Sequence, residues 1–399
     1  MHFVRSQIRP DKSNMTSIME PEGTSDTMTM EPEINATWNT TTVPPFVNGD
    51  VRTTLADSVT ELTAFAEYRS AVVIRVLGTI FIAVLASIGN PLSLAVLRSV
   101  RLKHSTTSIL LSYLAVVDLL CVYFALVPQT ISYATGHFVQ LASDFGCRFF
   151  WFAPLFLTEL SSWVLVLVSV ERVIAVWLPT KLKTLSTTRT AAGSLAVVTI
   201  VLFAVNTRYF FTKKLIGDSC VPNPPFADFE KFGSVWLDRM LYWGVPMIAM
   251  LVSNIVIFAK IRLLRSNGQQ QTAGRFKNKT IIMMTNTFAF MVCTTPLMFF
   301  NIIYEGWDNN PKEIKVKYEL AYSVLQFFAY LNHAINFILY CAAGSRFREE
   351  FQYIDTFFCV PELTTRSLYL SVVWKHSLGT TTYHIGKIQC KLSRFFYTR

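Results

Sequence analysis

Ionisable side chains interrupt several long apolar stretches of this chain, and their types could support chemistry. Asp118 lies inside the otherwise apolar run Leu114–Leu120, and Glu159 lies in a later one. Glu171 and Arg172 stand side by side where another apolar stretch ends. A charged group is costly in apolar surroundings unless it is paired, hydrogen bonded or bound to a cation. Each of these residues therefore predicts either a binding function or a structural hydrogen bond.

Asp118 has oxygen-bearing partners at a similar depth in other apolar stretches. Carboxylate, hydroxyl and amide oxygens suit a hard cation, which favours a sodium ion. The alternative is an uncharged, hydrogen-bonded aspartate that only joins helices. The partner residues concerned are Asn90, Ser161, Asn332 and Asn336.

The other buried charges also have two interpretations each. Glu171 either holds Arg172 in one rotamer and later releases it, or Arg172 only extends its guanidinium to the membrane surface. Glu159 either meets a cationic ligand group or bonds to a neighbouring helix. Asp238 and Arg239 are either ligand contacts or an interfacial pair.

No enzymatic motif accompanies these residues. His333 is interpreted as a packing residue with one hydrogen bond, and no zinc-type ligand spacing is visible. A glycine-rich phosphate loop and a recognisable Ser/His/Asp set are also missing. We therefore expect no enzyme and no cofactor apart from a sodium ion.

The elements that position these residues are long apolar helices. Hydrophobic residues make up 52% of the 399 residues and charged residues 16%, whereas soluble domains carry about 25% charge. A soluble core would also have shorter apolar runs, while about 20 helical residues cross a bilayer. The sequence predicts an all-α membrane protein, a seven-transmembrane helix bundle. Its spans are Val72 to Leu97, Ser108 to Tyr133, Cys147 to Leu178, Ala191 to Phe211, Arg239 to Leu264, Thr280 to Tyr304 and Leu320 to Ala343.

Basic residues collect in alternate loops, which predicts the orientation. The loops after the first, third and fifth spans are basic and carry no acidic residue. By the positive-inside rule they are cytoplasmic, so the N-terminus is extracellular and the C-terminus cytoplasmic. The net charge of +10 follows from this topology, and no nucleic-acid partner is expected.

The two ends of the chain lie outside the predicted seven-helix domain, residues 71–343. Residues 1–70 hold ten acidic residues and five Lys or Arg, and are predicted to be a disordered extracellular tail without a cleavable signal peptide. Residues 344–360 predict a short amphipathic cytoplasmic helix, and residues 361–399 a poorly ordered cytoplasmic tail. The predicted glycosylation sites are Asn14, Asn35 and Asn39.

The cysteines differ in their predicted position relative to the membrane. Cys147 and Cys220 both face the oxidising side, where a disulfide is allowed. Cys359 is a candidate for palmitoylation or a free cytosolic thiol. The three cysteines inside spans are interpreted as packing residues, namely Cys121, Cys293 and Cys341.

Together these positions resemble the rhodopsin-like family of G-protein-coupled receptors. Arg172 follows Cys147 by 25 residues, as in that family, and the other motifs occur one per helix in the same order. They are Gly89-Asn90, Leu114 to Asp118, Glu171-Arg172-Val173, Pro246, Cys293 to Pro296, Asn332 to Tyr340 and Phe347-Arg348.

The resemblance implies roles for several residues. Arg172 would leave Glu171 and engage a heterotrimeric G protein, while Asn336 and Tyr340 would form the inner switch of the seventh helix. It also implies a Cys147–Cys220 disulfide. The implied sodium-site positions are Asp118, Ser161, Asn332 and Asn336.

Departures from the family pattern put details of the activation switch in doubt. Thr294 replaces a usual Trp, Phe337 a usual Pro and Val173 a usual Tyr. Asn254 stands where Tyr is common, and Phe276 where some members place an acid that locks the arginine.

The ligand class is narrowed by further comparison with the family. Pro154 occupies the position of the aspartate of amine receptors, and Tyr330 that of the retinal lysine of opsins. The end of the seventh helix resembles invertebrate neuropeptide receptors, notably those for FMRFamide-type peptides. We therefore expect a plasma-membrane receptor for an extracellular peptide, the alternatives being a small-molecule receptor, a transporter or a non-signalling membrane protein. Candidate ligand-pocket residues are Gln129, Glu159, Arg239, Trp243, Tyr304, Tyr322 and Gln326.

Overall fold

The protein folds as a bundle of long helices. The computed structural model describes residues 65–135, 138, 141–179, 186–217, 219–303, 312–344 and 346–353, and lacks the side chains of 275–279, 282, 283 and 312. The first six helices are α1 Ala66–Leu97, α2 Thr106–Thr135, α3 Asp144–Trp177, α4 Thr188–Thr212, α5 Phe229–Ser266 and α6 Gln270–Ile303. They are followed by α7 Lys312–Leu331, α8 Asn336–Ala343 and α9 at residues 346–353.

Six of these helices are long and apolar enough to cross a membrane, and α7 with α8 makes a seventh, bent span. This confirms the predicted seven-helix membrane fold. The predicted limits of the first four spans differ from the observed ones by at most six residues. Helices α5 and α6 each begin ten residues before the predicted Arg239 and Thr280, and α7 begins eight residues before Leu320. The predicted extracellular tail overlaps α1, because α1 already begins at Ala66.

The predicted span from Leu320 to Ala343 is present, but it is bent and is not one continuous helix. Helices α7 and α8 meet at an angle of 54° across a short break. The break needs no proline, because the backbone N–H groups of His333 and Ala334 donate three residues back, to Tyr330 and Leu331. The carbonyl oxygen of His333 then accepts from the Asn90 side chain of α1 at 3.1 Å.

Apolar side chains divide between the bundle interior and its outer face. Leu114, Val164 and Met250 lie in one buried cluster contributed by several helices. On the outside, Ile200 and Phe288 are each 67% exposed, as lipid-facing residues would be. Apolar side chains therefore pack around the polar residues that lie midway along the helices.

Two short elements complete the structure. Strands β1 Lys213–Ile216 and β2 Ser219–Pro222 form an antiparallel hairpin between α4 and α5, which the sequence did not predict. At the other end of the bundle, α9 buries Phe347 against Phe337 and Tyr340. Helix α9 lies within the predicted amphipathic segment 344–360.

Candidate functional site

A cavity of about 260 Å³ opens between α2, α3, α5, α6 and α7 beneath the hairpin. Cys147 at the start of α3 forms a disulfide with Cys220 of β2, with their Cα atoms 5.6 Å apart. This confirms the predicted bond and fixes the hairpin over the cavity. The cavity extends from Cys220 at its mouth down to His333 at the break in the seventh span.

Two buried ion pairs border the cavity through their acidic members, Glu230 and Asp238. Lys213 of β1 pairs with Glu230 of α5, and both side chains are at most 2% exposed. Arg208 pairs with Asp238, which also accepts a hydrogen bond from Tyr209. The cavity wall therefore carries two carboxylates that are already paired with cations of the protein.

Four of the predicted ligand-pocket residues line this cavity. The amide nitrogen of Gln326 donates to the amide oxygen of Gln129 at 2.8 Å across the α2–α7 interface. Arg239 lies on the α5 side and donates to the Asn301 carbonyl at 3.3 Å. Tyr322 lies on the α7 side.

Glu159 and Trp243 do not line the cavity. Glu159 is fully buried and accepts from the Asn206 amide of α4 at 2.6 Å, so the geometry favours the helix-joining interpretation. The Trp243 indole donates to the Thr295 hydroxyl of α6 at 3.1 Å. Tyr304 falls outside the described residues, as do Asn14, Asn35, Asn39 and Cys359, and the side chain of Phe276 is not described.

An ion pair at the outer end of α1 was not predicted from the sequence. Arg75 contacts Glu319 of α7 at 2.6 Å and donates to Ser323 at 2.7 Å. Its guanidinium also lies 3.8 Å from the ring centroid of Tyr133. The signal in the sequence is a charge, Arg75, inside the first apolar span.

The Asp118 carboxylate lies at the centre of the bundle, below the cavity, and is fully buried. Its Oδ1 accepts from the Ser161 hydroxyl at 2.6 Å and lies 2.7 Å from the Nδ1 of His333. Its Oδ2 accepts from the Asn336 amide at 2.6 Å. Within the described residues no hydrogen bond joins Asn332 to Asp118.

A free thiol stands beside this carboxylate. Cys121 lies one helical turn after Asp118 and is fully buried. One ligand atom each from Asp118, Cys121 and His333 lie within 4.8 Å of one another. The sequence search for zinc-type spacing did not reveal this group, because its members come from two distant spans.

The inner end of α3 holds the Glu171–Arg172 pair. The Nε of Arg172 lies 3.0 Å from Glu171 Oε2, without the alignment of a hydrogen bond. Glu171 also accepts from Thr106 at 2.8 Å, Thr107 at 3.1 Å and Ser186 at 3.1 Å. The Arg172 guanidinium donates to the Thr107 hydroxyl.

The inner switch residues of the seventh span face different partners. Asn336 contacts Asp118, as described above, whereas the Tyr340 hydroxyl accepts from Asn286 of α6 at 3.4 Å. Of the departures from the family pattern, Thr294 is fully buried and donates to its own helix at Phe290. The inner ends of α6 and α8 are therefore held together in this arrangement.

Comparisons with known proteins agree with this architecture. The family model for the 7 transmembrane receptor (rhodopsin family) matches residues 89–340. Neurotensin receptor type 1 of Mus musculus is 24% identical over 69% of this chain and 74% of its own length. Galanin receptor 2b of Danio rerio is 25% identical over 73% and 76%, and adenosine receptor A2b of Gallus gallus 28% identical over 69% and 86%.

Proposed function

Because this chain belongs to the rhodopsin family of seven-transmembrane receptors, we propose that it is a plasma-membrane receptor for an extracellular neuropeptide. Members of this family are G-protein-coupled signalling receptors and not enzymes. The observation that carries the peptide proposal is the cavity under the disulfide-linked hairpin, lined by aromatic, amide and charged side chains.

The size of the cavity supports a ligand that enters only in part. Drug-sized ligands occupy cavities of about 300–1,000 Å³, and this one is about 260 Å³. One end of a peptide would fill it, while the remaining residues would lie over the hairpin. The names of the neurotensin and galanin receptors among the relatives point to the same ligand class.

The lining offers two kinds of polar group. The carboxylates of Glu230 and Asp238 are held in ion pairs, whereas Gln129 and Gln326 form a neutral amide pair. Neutral amide groups suit the backbone or an amidated end of a peptide, because a buried charge there would need a partner of its own. We assign the Gln129–Gln326 pair to the end of the peptide that enters first.

In this proposal the ligand signals by shifting the receptor population from inactive to active conformations. A ligand that binds the active arrangement more tightly favours it, and the inner half then exposes Arg172 to a G protein. Basic residues surround this end of the bundle, namely Arg98, Arg101, Lys103, Arg189, Lys260, Arg262 and Arg265. Their position supports a cytoplasmic inner end, with the N-terminus extracellular.

The test is a response to peptides. The full chain, expressed in cells, would be challenged with a neuropeptide panel that includes amidated FMRFamide-type peptides, with calcium and cAMP as readouts. We expect at least one peptide to act through Gln326, so that Gln326→Ala weakens its potency about fivefold, since a lost hydrogen bond costs roughly 1 kcal/mol. Gln271→Ala, an exposed glutamine at the inner end of α6, is the matched control.

A small molecule is the second candidate, because the relative with the highest quoted identity is an adenosine receptor. Nucleosides are therefore included in the same panel. A response to a nucleoside but to no peptide would replace the peptide proposal. No response to either class at good surface expression would contradict both.

The orientation is tested by glycosylation. If the N-terminus is extracellular, glycosidase treatment lowers the apparent mass of the chain. Replacing Asn14, Asn35 and Asn39 by Gln should remove that shift. An unglycosylated chain whose N-terminal tag is reached only after permeabilisation would contradict the proposed topology.

A further inference from the structure

The donor atoms around Asp118 differ from those that a sodium ion prefers. Sodium is a hard cation and favours oxygen ligands, whereas the nearest neighbours of this carboxylate include the Nδ1 of His333 at 2.7 Å and the thiol of Cys121. Asn336 presents its amide nitrogen rather than its oxygen, and Asn332 does not reach the carboxylate. The set fits sodium poorly, and sodium binding remains a prediction.

We propose that Asp118, Cys121 and His333 form a buried binding site for a divalent transition-metal ion of the zinc type. Carboxylate oxygen, imidazole nitrogen and thiolate sulfur are its usual protein ligands. Three protein ligands leave a fourth position for water or a ligand group. The proposal does not depend on which extracellular ligand the receptor recognises.

The geometry requires only a small rearrangement. Ligand bonds of about 2.0–2.3 Å in a tetrahedron set the ligand atoms about 3.3–3.8 Å apart. The three donor atoms already lie within 4.8 Å of one another, and the Asp118–His333 contact of 2.7 Å would open slightly. The Cys121 thiol would approach the ion from α2, and the His333 imidazole from the break in the seventh span.

Charge balance favours a divalent ion at this depth. All three residues are at most 2% exposed, so a site with net charge would be costly. One carboxylate, one thiolate and a neutral imidazole together balance two positive charges. Binding would release the thiol proton and any proton shared between the carboxylate and imidazole.

The cavity supplies a route to the site. His333 lines its deep end, so an ion can enter through the same mouth as the extracellular ligand. Ser161 and Asn336 hold the carboxylate from outside the ligand set, which is the usual role of outer partners in metal sites. A π-helical turn, Val122–Leu126, directly follows Cys121, and such turns are frequent at functional sites.

The occupied site would join α2 to the break between α7 and α8. Asp118 and Cys121 belong to α2, and His333 lies in the break itself. An ion bound to all three would fix the bend angle of the seventh span. We therefore expect the metal to stabilise one arrangement of the bundle against heat.

The direct test is zinc binding by the full-length receptor in nanodiscs, in a background that carries Cys359→Ala and Cys390→Ala to remove both thiols of the predicted cytoplasmic tail. Loss of an outer partner typically costs about 10–100-fold in metal affinity, so Cys121→Ala should weaken zinc binding at least about tenfold. Cys293→Ala, which removes another buried thiol, is the matched control and should bind zinc normally. Zinc should raise the midpoint of thermal unfolding of the control but not of Cys121→Ala.

A second variant guards against a loss of fold. His333→Asn keeps an amide donor for Asp118 but removes the imidazole ligand, and it should fold yet bind zinc weakly. Cobalt supplies an optical readout, because a thiolate-to-cobalt charge-transfer band requires Cys121 as a ligand. The band should appear in the parent and in Cys293→Ala and be missing in Cys121→Ala.

Two results would overturn the proposal. One is equal zinc affinity in the parent, Cys121→Ala and His333→Asn, which would place the metal elsewhere. The other is stabilisation by sodium with no effect of zinc or cobalt, which would identify an oxygen-ligand site. Neither result depends on whether a peptide activates the receptor, so failure here leaves the proposed function untouched.

Discussion

Glu171 restrains Arg172 at the inner end of α3. Its carboxylate contacts Arg172 and accepts hydrogen bonds from Thr106, Thr107 and Ser186. Thr107 has a double role, because its hydroxyl donates to Glu171 and accepts from Arg172. The restraint on Arg172 is therefore a network between α2 and α3, and not one ion pair.

We predict that Thr107→Val raises basal signalling. The substitution keeps the shape of the side chain but removes the hydroxyl that holds both charged groups. A hydrogen bond to a charged group contributes about 1.5–3 kcal/mol, so the ratio of active to inactive receptor should rise roughly tenfold or more. Basal nucleotide exchange on a G protein, at matched surface expression, measures it.

Ser194→Ala is the control, because that hydroxyl donates to the Ala191 carbonyl within its own helix. It should leave basal exchange at the parent level. Equal basal exchange in Thr107→Val and the parent would show that the hydroxyl does not restrain Arg172.

Sequence reasoning located the charged residues better than their partners. It placed Glu171 beside Arg172, and Asp118 near Ser161 and Asn336, because family spacing fixes their positions on the helices. It missed Thr107, because a threonine at the start of a helix has no distinctive pattern. The contact between two side chains depends on the rotation of both helices, which one sequence does not report.

The shape of the seventh span positions His333 beside Asp118. It bends by 54° between α7 and α8 although Phe337 replaces the usual proline. The bend brings the imidazole of His333 onto Asp118 and frees its carbonyl, which Asn90 then caps at 3.1 Å. The sequence predicted the span but not the bend, since its usual signal, proline, is missing.

Asn90→Leu should destabilise this bend. A buried carbonyl left without its donor costs about 1–3 kcal/mol, and the leucine also crowds the break. We expect a lower midpoint of thermal unfolding in detergent and lower surface expression. Unchanged thermal stability would mean that the His333 carbonyl finds another donor and that Asn90 is not its necessary cap.

The hairpin is the second element that positions the cavity. We predict that Cys220→Ser lowers the free energy of unfolding by about 4 kcal/mol by the loop-entropy relation, for the sequence separation of 73 residues that the bond closes. Peptide binding should fall with it, because the hairpin is no longer fixed above the cavity. Thermal unfolding and peptide binding of the purified receptor are the measurements.

Cys341→Ala provides the control for that experiment, because it removes a buried thiol at the inner end of α8. Its effect should be limited to a small cavity in the packing. If Cys220→Ser bound peptide as well as this control does, the hairpin would not contribute to recognition.

At the scale of the whole molecule, three polar layers are stacked within one apolar bundle. The outer layer lines the cavity with Gln129, Gln326 and the carboxylates of the two ion pairs, the middle layer surrounds Asp118, and the inner layer holds Arg172. His333 belongs to both the outer and the middle layer, because it lines the cavity and contacts Asp118. Asn336, the first residue of α8, donates to Asp118 in the middle layer. We propose that binding at the top acts on the inner half through the seventh span, which contacts Asp118 at its break and Asn286 of α6 through Tyr340.

The most direct test of this account compares Arg172→Ala with the parent receptor in nanodiscs, using a peptide that activates the parent. Peptide affinity and peptide-stimulated nucleotide exchange on a purified G protein are measured on the same samples, with Lys103→Ala as an exposed basic control. We expect Arg172→Ala to bind the peptide with parent affinity but no longer to stimulate exchange, while Lys103→Ala does both. Undiminished exchange in Arg172→Ala would contradict this expectation.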